Sequence, residues 1–272
     1  MSYQTTPAES NALSLDEVLA RLAKNQIVEG VLTIGTTSDN RLSPSSDYDI
    51  VIVVPSLGDL EPYGVTHIDG RLTDLLFVTT AQLEEILALT EPVDSRDWLG
   101  RIIRWFEGGT IAFDREGRLR AVRHKVRTVS CLLPLDNDAR AGWWRVNYNL
   151  AQTRRMLAAD DPVYLIAADL RMALYGPTDL LFNYFDIRNL PWSGDKDAVR
   201  YLCANDRDYL DLFRRFIAEG DRSRKIALYQ ALALHTVAPV GGLWEEGTTA
   251  LASRQTDSES GRALDFWDDL IR

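Results

Sequence analysis

The chain contains 272 residues and has a mass of 30.7 kDa, which is enough for one large domain or two domains of medium size. Hydrophobic residues make up 46% and charged residues 26% of the sequence, a composition typical of folded globular proteins and unlike that of disordered or collagen-like chains. Forty acidic and 30 basic side chains leave a formal net charge of −10, which argues against a surface that holds duplex nucleic acid by neutralising its phosphates.

The N-terminal part of the chain predicts a small mixed sheet backed by helices. Residues 13–26 place apolar side chains at helical spacing, and Ser14 is well placed as an N-cap with Glu17 three residues later. Apolar, β-branched runs that end at glycine or proline predict strands. These strands are expected at residues 27–34, 47–55 and 71–79, with a loop over 56–70 and a helix that begins at Thr80.

Residues 97–127 combine an amphipathic helix with a basic stretch. The helix is predicted over 97–109, a short strand over 110–113 and a turn over 114–117. The stretch RLRAVRHKVR that follows has two interpretations. We favour a solvated helix face, because runs of charge usually have that role, and the alternative is a patch that contacts a nucleotide.

Helical periods dominate from residue 136 onward and predict a helical bundle. Together with the N-terminal sheet, this bundle predicts an α+β fold with two domains, residues 1–130 and 131–272. The helices are expected at residues 137–159, 162–187, 196–204, 208–219 and 223–235, and a last short helix at 263–271 follows a loop-rich segment.

The cysteines and the N-terminus predict a cytoplasmic protein without a membrane partner. Cys131 and Cys203 lie far apart in apolar sequence, which favours buried thiols in a reducing compartment over a disulfide. The N-terminus lacks a basic region followed by an apolar core, and no apolar run approaches the ~18 residues of a membrane span.

The segment over residues 30–54 carries the clearest chemical pattern. An apolar strand ends at Gly35, a polar loop follows, and the next strand begins with Asp47 and Asp49. Side chains at positions i and i+2 of a strand point the same way. Both carboxylates are therefore expected on one side, where the loop leaves room for a ligand, with Tyr48 pointing outward between them.

Two carboxylates this close repel each other unless a cation lies between them, and hard oxygen ligands combined with substrate phosphates suit Mg²⁺. Gly35 lacks a Cβ and lets the backbone approach a phosphate chain, to which Thr36 can donate.

Asp74 lies inside the apolar strand RLTDLLFV, where an unpaired charge is costly, and it completes the cluster if that strand lies beside the first. Each aspartate alone has a structural alternative, as a turn residue, a strand-end carboxylate or a polar-face residue of an edge strand. The whole pattern is more specific than its parts.

In this pattern the chain resembles the nucleotidyltransferase superfamily typified by DNA polymerase β. The signature of that superfamily is an apolar residue, Gly, a small hydroxyl residue, a spacer, Asp-apolar-Asp and a third acid on a neighbouring strand. The stretch GTTSDNRLSPSSDYDI is most similar to that of the streptomycin and spectinomycin adenylyltransferases, and SGDKDAVRYL looks like their Ser-Lys-Asp helix start. The matching residues here are Ile34, Gly35, Thr36, Asp47, Tyr48, Asp49, Ile50 and Asp74.

The resemblance implies a nucleotidyltransferase catalytic domain at residues 1–130 and a helical substrate-binding domain at 131–272. It implies a Mg²⁺-dependent transfer of AMP from ATP to a hydroxyl of an aminoglycoside-like acceptor, with release of pyrophosphate, as in antibiotic-resistance enzymes. Asp47 and Asp49 would hold the metal ions, and Asp74 would be a metal ligand, the general base or both. Candidate contacts to the triphosphate are Gly35, Thr36, Arg41 and Lys196.

Aromatic and acidic residues of the C-terminal half are candidates for the acceptor side. An acidic, aromatic cleft suits a small cationic acceptor such as an amino-sugar, although helix aromatics more often belong to the core. The candidates are Trp143, Trp144, Tyr148, Tyr184 and Trp192, with Asp179, Asp186 and Asp195.

Other chemistries fit the sequence less well. His67, His124 and His235 are scattered and have no partner at the spacing of zinc ligands. The serine-hydrolase and P-loop patterns do not occur. Two alternatives stay open: transfer of the nucleotide to a protein, as in small toxin–antitoxin relatives, and a catalytically silent nucleotide-binding regulatory protein that keeps the fold.

Overall fold

The computed structural model describes residues 12–38, 42–43 and 46–245. The chain divides into two compact units, Met1–Pro134 and Leu135–Arg272. The first unit combines a sheet with helices and the second is helical, so the predicted α+β fold is confirmed. Arg41 and the helix predicted at 263–271 lie outside the described residues.

The first unit is built on a five-stranded mixed sheet. Strands β2 and β4 run parallel, and the other neighbouring pairs are antiparallel. Because β2 and β4 are parallel, both begin at the same edge of the sheet. In the order β3-β4-β2-β1-β5, the strands are β1 (Gly30–Thr33), β2 (Tyr48–Val54), β3 (Tyr63–Ile68), β4 (Arg71–Thr79) and β5 (Thr110–Asp114).

Helices cover both faces of this sheet, which explains why β2 is apolar along almost its whole length. On one face, Tyr48, Ile50 and Ile52 pack towards α1 (Leu15–Lys24). The expectation that Tyr48 points outward is wrong, because its side chain is only 5% exposed and belongs to this core. The other face carries Val51 and Val53, which pack with α2 (Thr80–Ala88), α3 (Trp98–Gly108) and α4 (Arg118–Thr128).

The start of α1 confirms the predicted capping. The Ser14 hydroxyl accepts a hydrogen bond from the Glu17 amide at 3.3 Å, and the Glu17 carboxylate accepts one from the Ser14 amide at 2.8 Å. This reciprocal pair satisfies two amides that a helix start would otherwise leave without partners.

The loop predicted over 56–70 contains a strand. Tyr63–Ile68 forms β3, which pairs antiparallel with β4 at the edge of the sheet. Asp69 and Gly70 connect the two strands, and both have positive φ angles, 54° and 70°. Asp-Gly between two strands favours a tight hairpin of this kind, so the prediction missed a turn signal that the sequence does contain.

The second unit is a helical bundle, as predicted. Four of its helices begin with an aspartate whose side chain accepts a backbone N–H, at Asp138, Asp161, Asp206 and Asp221. Part of the acidic surplus of the chain therefore serves as helix caps. The helices are α5 (Ala139–Leu157), α6 (Pro162–Ile187), α7 (Asp195–Asn205), α8 (Arg207–Ala218) and α9 (Arg222–Val237).

The two cysteines differ in their surroundings. Cys131 is buried in the core of the first unit, whereas Cys203 is exposed, so the expectation that both are buried is wrong for Cys203. Over the described ranges, no helix is long and apolar enough to cross a membrane.

Candidate functional site

Asp49 and Asp74 lie next to each other at the edge where β2 and β4 begin. The two residues are paired in the parallel ladder, and neighbouring strands are about 4.8 Å apart. The alternation along each strand puts Asp49 on the same face as Val51, and Asp74 on the same face as Leu76. Both carboxylates therefore lie on the face that α2, α3 and α4 cover, and both residues are half-buried.

Asp47 directly precedes β2 and is also half-buried. Within residues 12–38, 42–43 and 46–245, no three or more His, Cys, Asp or Glu side chains are grouped closely enough to hold a metal ion. The assembled part of the site is thus the pair Asp49 and Asp74, and a ligand set that includes Asp47 stays a prediction.

A tight turn at Gly35–Thr37 brings the backbone against the Asp49 carboxylate. Gly35 has a φ of +59°, a conformation that L residues with a side chain rarely adopt. A Cβ built on Gly35 would also lie 2.9 Å from Asp49 Oδ2, closer than such a contact allows. Both the backbone angle and the space beside Asp49 therefore require glycine at this position.

Two hydrogen bonds tie this turn to β2. The Asp49 amide donates to the Thr37 hydroxyl at 3.0 Å, and the Ile34 amide donates to the Asp49 carbonyl at 3.1 Å. The Ser38 hydroxyl closes the turn by donating to the Gly35 carbonyl at 2.9 Å. Sequence reasoning missed the role of Thr37, although a run of hydroxyl residues after a strand-ending glycine indicates side chains that bond to nearby backbone.

Arg71, the first residue of β4, binds the backbone of Ser43 and Ser46, shortly before Asp47. Its guanidinium donates to the carbonyls of Ser43 at 2.5 Å and Ser46 at 2.9 Å, and it stands 5.5 Å from the centroid of the Tyr48 ring. The two serines also bond to each other, since the Ser43 amide donates to the Ser46 hydroxyl at 3.0 Å. Sequence reasoning missed this residue because an arginine at the start of a strand has no distinguishing pattern before its neighbours are known.

The donor set at this edge fits a hard cation. Mg²⁺ is usually bound by one or two carboxylates together with substrate phosphates and water, rather than by an all-protein cage. Asp49 and Asp74 supply two oxygen-bearing side chains on adjacent strands, and Gly35 leaves its backbone uncovered beside them. The arrangement can hold a phosphate chain through a shared cation and can accept a proton from a nearby hydroxyl.

The predicted contacts to the triphosphate are placed in different parts of the chain. Gly35 begins the turn beside Asp49, and Thr36 is the middle residue of that turn. Lys196 is an exposed residue in the first turn of α7, in the second unit. The helix start predicted from SGDKDAVRYL is confirmed, because α7 begins at Asp195.

The basic stretch in α4 binds backbone carbonyls at the ends of the preceding helices. Lys125 Nζ donates to the carbonyls of Leu87 and Leu89, both at 2.7 Å, where α2 ends. The Arg127 guanidinium donates to the Glu107 carbonyl at the end of α3, at 2.7 Å. Cations in these places satisfy the last carbonyls of a helix and oppose its dipole, so these two residues stabilise the fold. The solvated-face interpretation is therefore incomplete, because it overlooked these internal contacts.

The aromatic residues predicted for the acceptor side fall into two groups. Trp143, Trp144 and Tyr148 on α5 line one cavity of about 300 Å³. Tyr184 is instead buried in the core of the bundle, and Trp192 packs against aromatic side chains of α6. The prediction that all five aromatic residues form one acceptor wall is therefore wrong, because only the three on α5 line the cavity. Among the residues that the structure describes, the cavity is lined by Trp143, Trp144, Asn147, Tyr148, Ala151, Gln152, Arg155 and Trp244.

The three acidic candidates of the second unit do not line this cavity. Burial raises the pKa of Asp179 above its ordinary value, against the hydrogen bond that the Asn149 side chain donates to it. Asp186 lies 3.8 Å from the Arg145 guanidinium, and Asp195 is exposed at the start of α7. The cavity therefore combines three of the predicted aromatic residues with none of the three predicted acidic residues.

A polar cluster that sequence reasoning missed lies inside the bundle around Asp206. Its carboxylate accepts hydrogen bonds from the Tyr184 hydroxyl at 2.8 Å and from the Tyr209 amide at 3.1 Å, and it lies 2.8 Å from His235 Nε2. Burial raises the pKa of Asp206, but these partners outweigh it and hold the pKa below its ordinary value. The cluster links α6, α8 and α9, whose residues are far apart in the sequence.

Comparisons with known proteins assign no family to the chain. No family model and no curated protein matches it. Among solved structures, the chain is similar to a crystal structure described as a nucleotidyltransferase-like protein from Exiguobacterium sibiricum 255-15. The two are 12% identical, the match covers 83% of this chain and 73% of the other, and the TM-score is 0.41.

Proposed function

We propose that this chain is a Mg²⁺-dependent nucleotidyltransferase that transfers AMP from ATP to a hydroxyl of a small acceptor and releases pyrophosphate. The observation that carries the proposal is the pairing of Asp49 with Asp74, next to a turn in which Gly35 is exposed and in which a Cβ would clash with Asp49 Oδ2 at 2.9 Å. Two adjacent carboxylates and an uncovered backbone turn are what a metal-bound triphosphate requires.

The residues where β2 and β4 begin have separate tasks in this reaction. Asp49, together with Asp47 two residues before it, holds the cation and with it the triphosphate, and the Gly35–Thr37 turn supports the phosphates through its backbone. Bound Mg²⁺ neutralises charge on the phosphate oxygens. Asp74 shares the cation or accepts the proton of the acceptor hydroxyl. The oxygen–phosphorus bond to the acceptor then forms as the bond to pyrophosphate breaks.

For the acceptor, we propose an aminoglycoside-like molecule. The support is the similarity of GTTSDNRLSPSSDYDI to the streptomycin and spectinomycin adenylyltransferases, together with the net charge of −10, which favours a cation over an anion as the free acceptor. Lys196 and Arg41 remain proposed contacts to the triphosphate.

The experiment is a pyrophosphate-release assay with Mg²⁺, each of the four common nucleoside triphosphates and a panel of aminoglycosides. We expect release that requires an acceptor and is fastest with ATP. Asp49→Asn and Asp74→Asn should each lower kcat/KM by at least about 100-fold, because each removes a ligand or base without changing side-chain size. Asp59→Asn, a change of an exposed loop carboxylate in the same unit, is the matched control and should retain full activity.

The outcomes separate the alternatives. Release that continues unchanged in the Asp49→Asn and Asp74→Asn variants would refute the site. ATP binding without transfer to any small acceptor would refute the acceptor class and support either modification of a protein or a silent regulatory role.

A further inference from the structure

The cavity on α5 has features of a preformed binding site for a planar ligand. Three tryptophans and a tyrosine surround about 300 Å³, at the lower end of the volumes of small-molecule pockets. Trp144, Tyr148 and Trp244 are 37%, 48% and 38% exposed, so much of their aromatic surface faces the opening and solvent. Flat aromatic walls favour a ligand with a ring that can stack on them.

Hydrogen bonds hold the walls of the cavity in place. The buried Asn147 side chain accepts from the Trp244 amide at 2.7 Å and donates to the Trp143 carbonyl at 3.0 Å. Trp143 Nε1 in turn donates to the Gly242 carbonyl at 2.7 Å. Gly241 and Gly242 have φ angles of +106° and +81°, which let the chain turn back after α9 and place Trp244 against α5.

The charged side chain in the described lining of the cavity is a cation. Arg155 is the charged residue of the lining, and no carboxylate belongs to the lining among the residues that the structure describes. Arg155 Nε donates to Gln152 Oε1 at 3.0 Å, and the guanidinium stands 5.7 Å from the centroid of the Tyr164 ring. These contacts orient the guanidinium, while its two terminal nitrogens remain able to donate to an anion as a fork.

We propose that this cavity binds a planar aromatic molecule that carries a carboxylate or another anionic group. The ring stacks on the tryptophan side chains of the lining, and the anionic group accepts hydrogen bonds from Arg155. The described residues of its lining all belong to the second unit, so we expect the ligand to bind without nucleotide or Mg²⁺. Its chemistry is opposite to that of a cationic amino-sugar, so this ligand is distinct from the acceptor proposed above.

Calorimetric titration of the full chain without nucleotide tests the proposal. The two probes, indole-3-acetate and tryptamine, have the same indole ring and opposite charges. We expect indole-3-acetate to bind roughly tenfold more tightly than tryptamine, because Arg155 attracts the carboxylate and repels the ammonium. Arg155→Gln should remove this preference, and Arg155→Lys should retain part of it. The matched control is Arg154→Gln, which changes the neighbouring exposed arginine outside the lining and should leave the preference intact.

Trp144→Ala tests the aromatic wall separately. Trp144 is partly exposed, so its replacement should weaken the binding of both probes by a similar factor while the thermal unfolding midpoint changes little. The proposal is overturned if neither probe binds, if both bind equally to the wild type, or if Arg155→Gln keeps the preference. Unchanged affinity in a folded Trp144→Ala variant would equally overturn it.

Discussion

Asp74 stands directly opposite Asp49 across the β2–β4 ladder, on the same face of the sheet. Like charges in this position repel each other and destabilise the pairing of the strands. Most of the other residues on the two strands are apolar, so the rest of the ladder supplies the free energy that keeps the carboxylates together. The sheet therefore tolerates a repulsion that a bound cation would relieve.

Replacing Asp74 by Asn should stabilise the protein in the absence of Mg²⁺ and lower its proposed activity by at least about 100-fold. The expected gain in the free energy of unfolding is about 0.5 kcal/mol, because one of two opposed charges is removed. Urea denaturation in EDTA measures this gain. In parallel thermal scans, millimolar Mg²⁺ should raise the unfolding midpoint of the wild type more than that of Asp74→Asn. A variant that is less stable than the wild type in EDTA would contradict the prediction.

Gly35→Ala should damage both stability and the site. The φ of +59° costs a residue with a Cβ about 1–2 kcal/mol, and the added methyl group would push the Asp49 carboxylate away. Gly58 is a matched control, since it has a φ of +56° but no described atom within 4 Å of a built Cβ. We expect Gly58→Ala to lose stability alone and Gly35→Ala to lose transfer activity as well. Equal effects of the two substitutions on stability and activity would rule out a special role for the contact with Asp49.

Arg71→Gln should loosen the backbone at Ser43 and Ser46. The change removes the two hydrogen bonds from the guanidinium to the carbonyls of Ser43 and Ser46. Exchange of the hydrogen-bonded amides of Ser43 and Ser46, resolved by NMR, should become about fivefold faster, as the loss of roughly one net hydrogen bond predicts. Arg21→Gln, which changes an exposed arginine of α1, should leave this exchange unchanged. If these amides exchange at the same rate in the wild type and in Arg71→Gln, Arg71 does not restrain Ser43 and Ser46.

Lys125→Met should lower the free energy of unfolding by about 1 kcal/mol without weakening ATP binding. The substitution keeps the aliphatic stem and removes the ammonium that binds the Leu87 and Leu89 carbonyls. Chemical denaturation and a nucleotide titration measure the two quantities. Lys24→Met, at an exposed position near the end of α1, should cost much less stability. Weaker ATP binding at unchanged stability would instead favour the interpretation of α4 as a nucleotide-contacting patch.

Protonation of Asp206 at acid pH should lower the free energy of unfolding of the second unit. Its pKa is lower in the folded protein than in the unfolded chain, where aspartate titrates near 3.9. The stabilisation by its charge is therefore fully present above about pH 4 and is lost as the pH falls through the lower, folded pKa. Asp206→Asn keeps a good N-cap residue but removes the charge, and we expect it to cost about 1 kcal/mol near neutral pH.

Urea denaturation of the wild type and Asp206→Asn over a series from about pH 7 to about pH 3 measures this dependence. The difference between the two proteins should shrink at the acid end. Asp208→Asn, an exposed position in the first turn of α8, should show a small difference at every pH. A difference between the wild type and Asp206→Asn that is the same at both ends of the series would exclude the charge as its cause.

Much of the local structure could be predicted because its signals are local. The capping box of Ser14 and Glu17, the apolar runs of β2 and β4, and the periods of α5 to α9 each lie within a short stretch of sequence. The edge strand β3 was missed because Gly58, Pro62 and Gly64 favour a loop, and pairing with β4 outweighs that preference.

The sequence by itself determined which residues carry the proposed chemistry: a glycine at a strand end, two alternating aspartates and a third aspartate inside an apolar strand. Only the tertiary structure decided that Asp49 and Asp74 face each other, because this requires β4 to pair parallel with β2 in one register. Burial of both faces of the sheet sets that register, since a shift of β4 by one residue would turn the Asp74 carboxylate into the opposite core. The same holds for Arg71, Trp244 and Asp206, whose partners are distant in sequence and meet them only when the helices and strands pack.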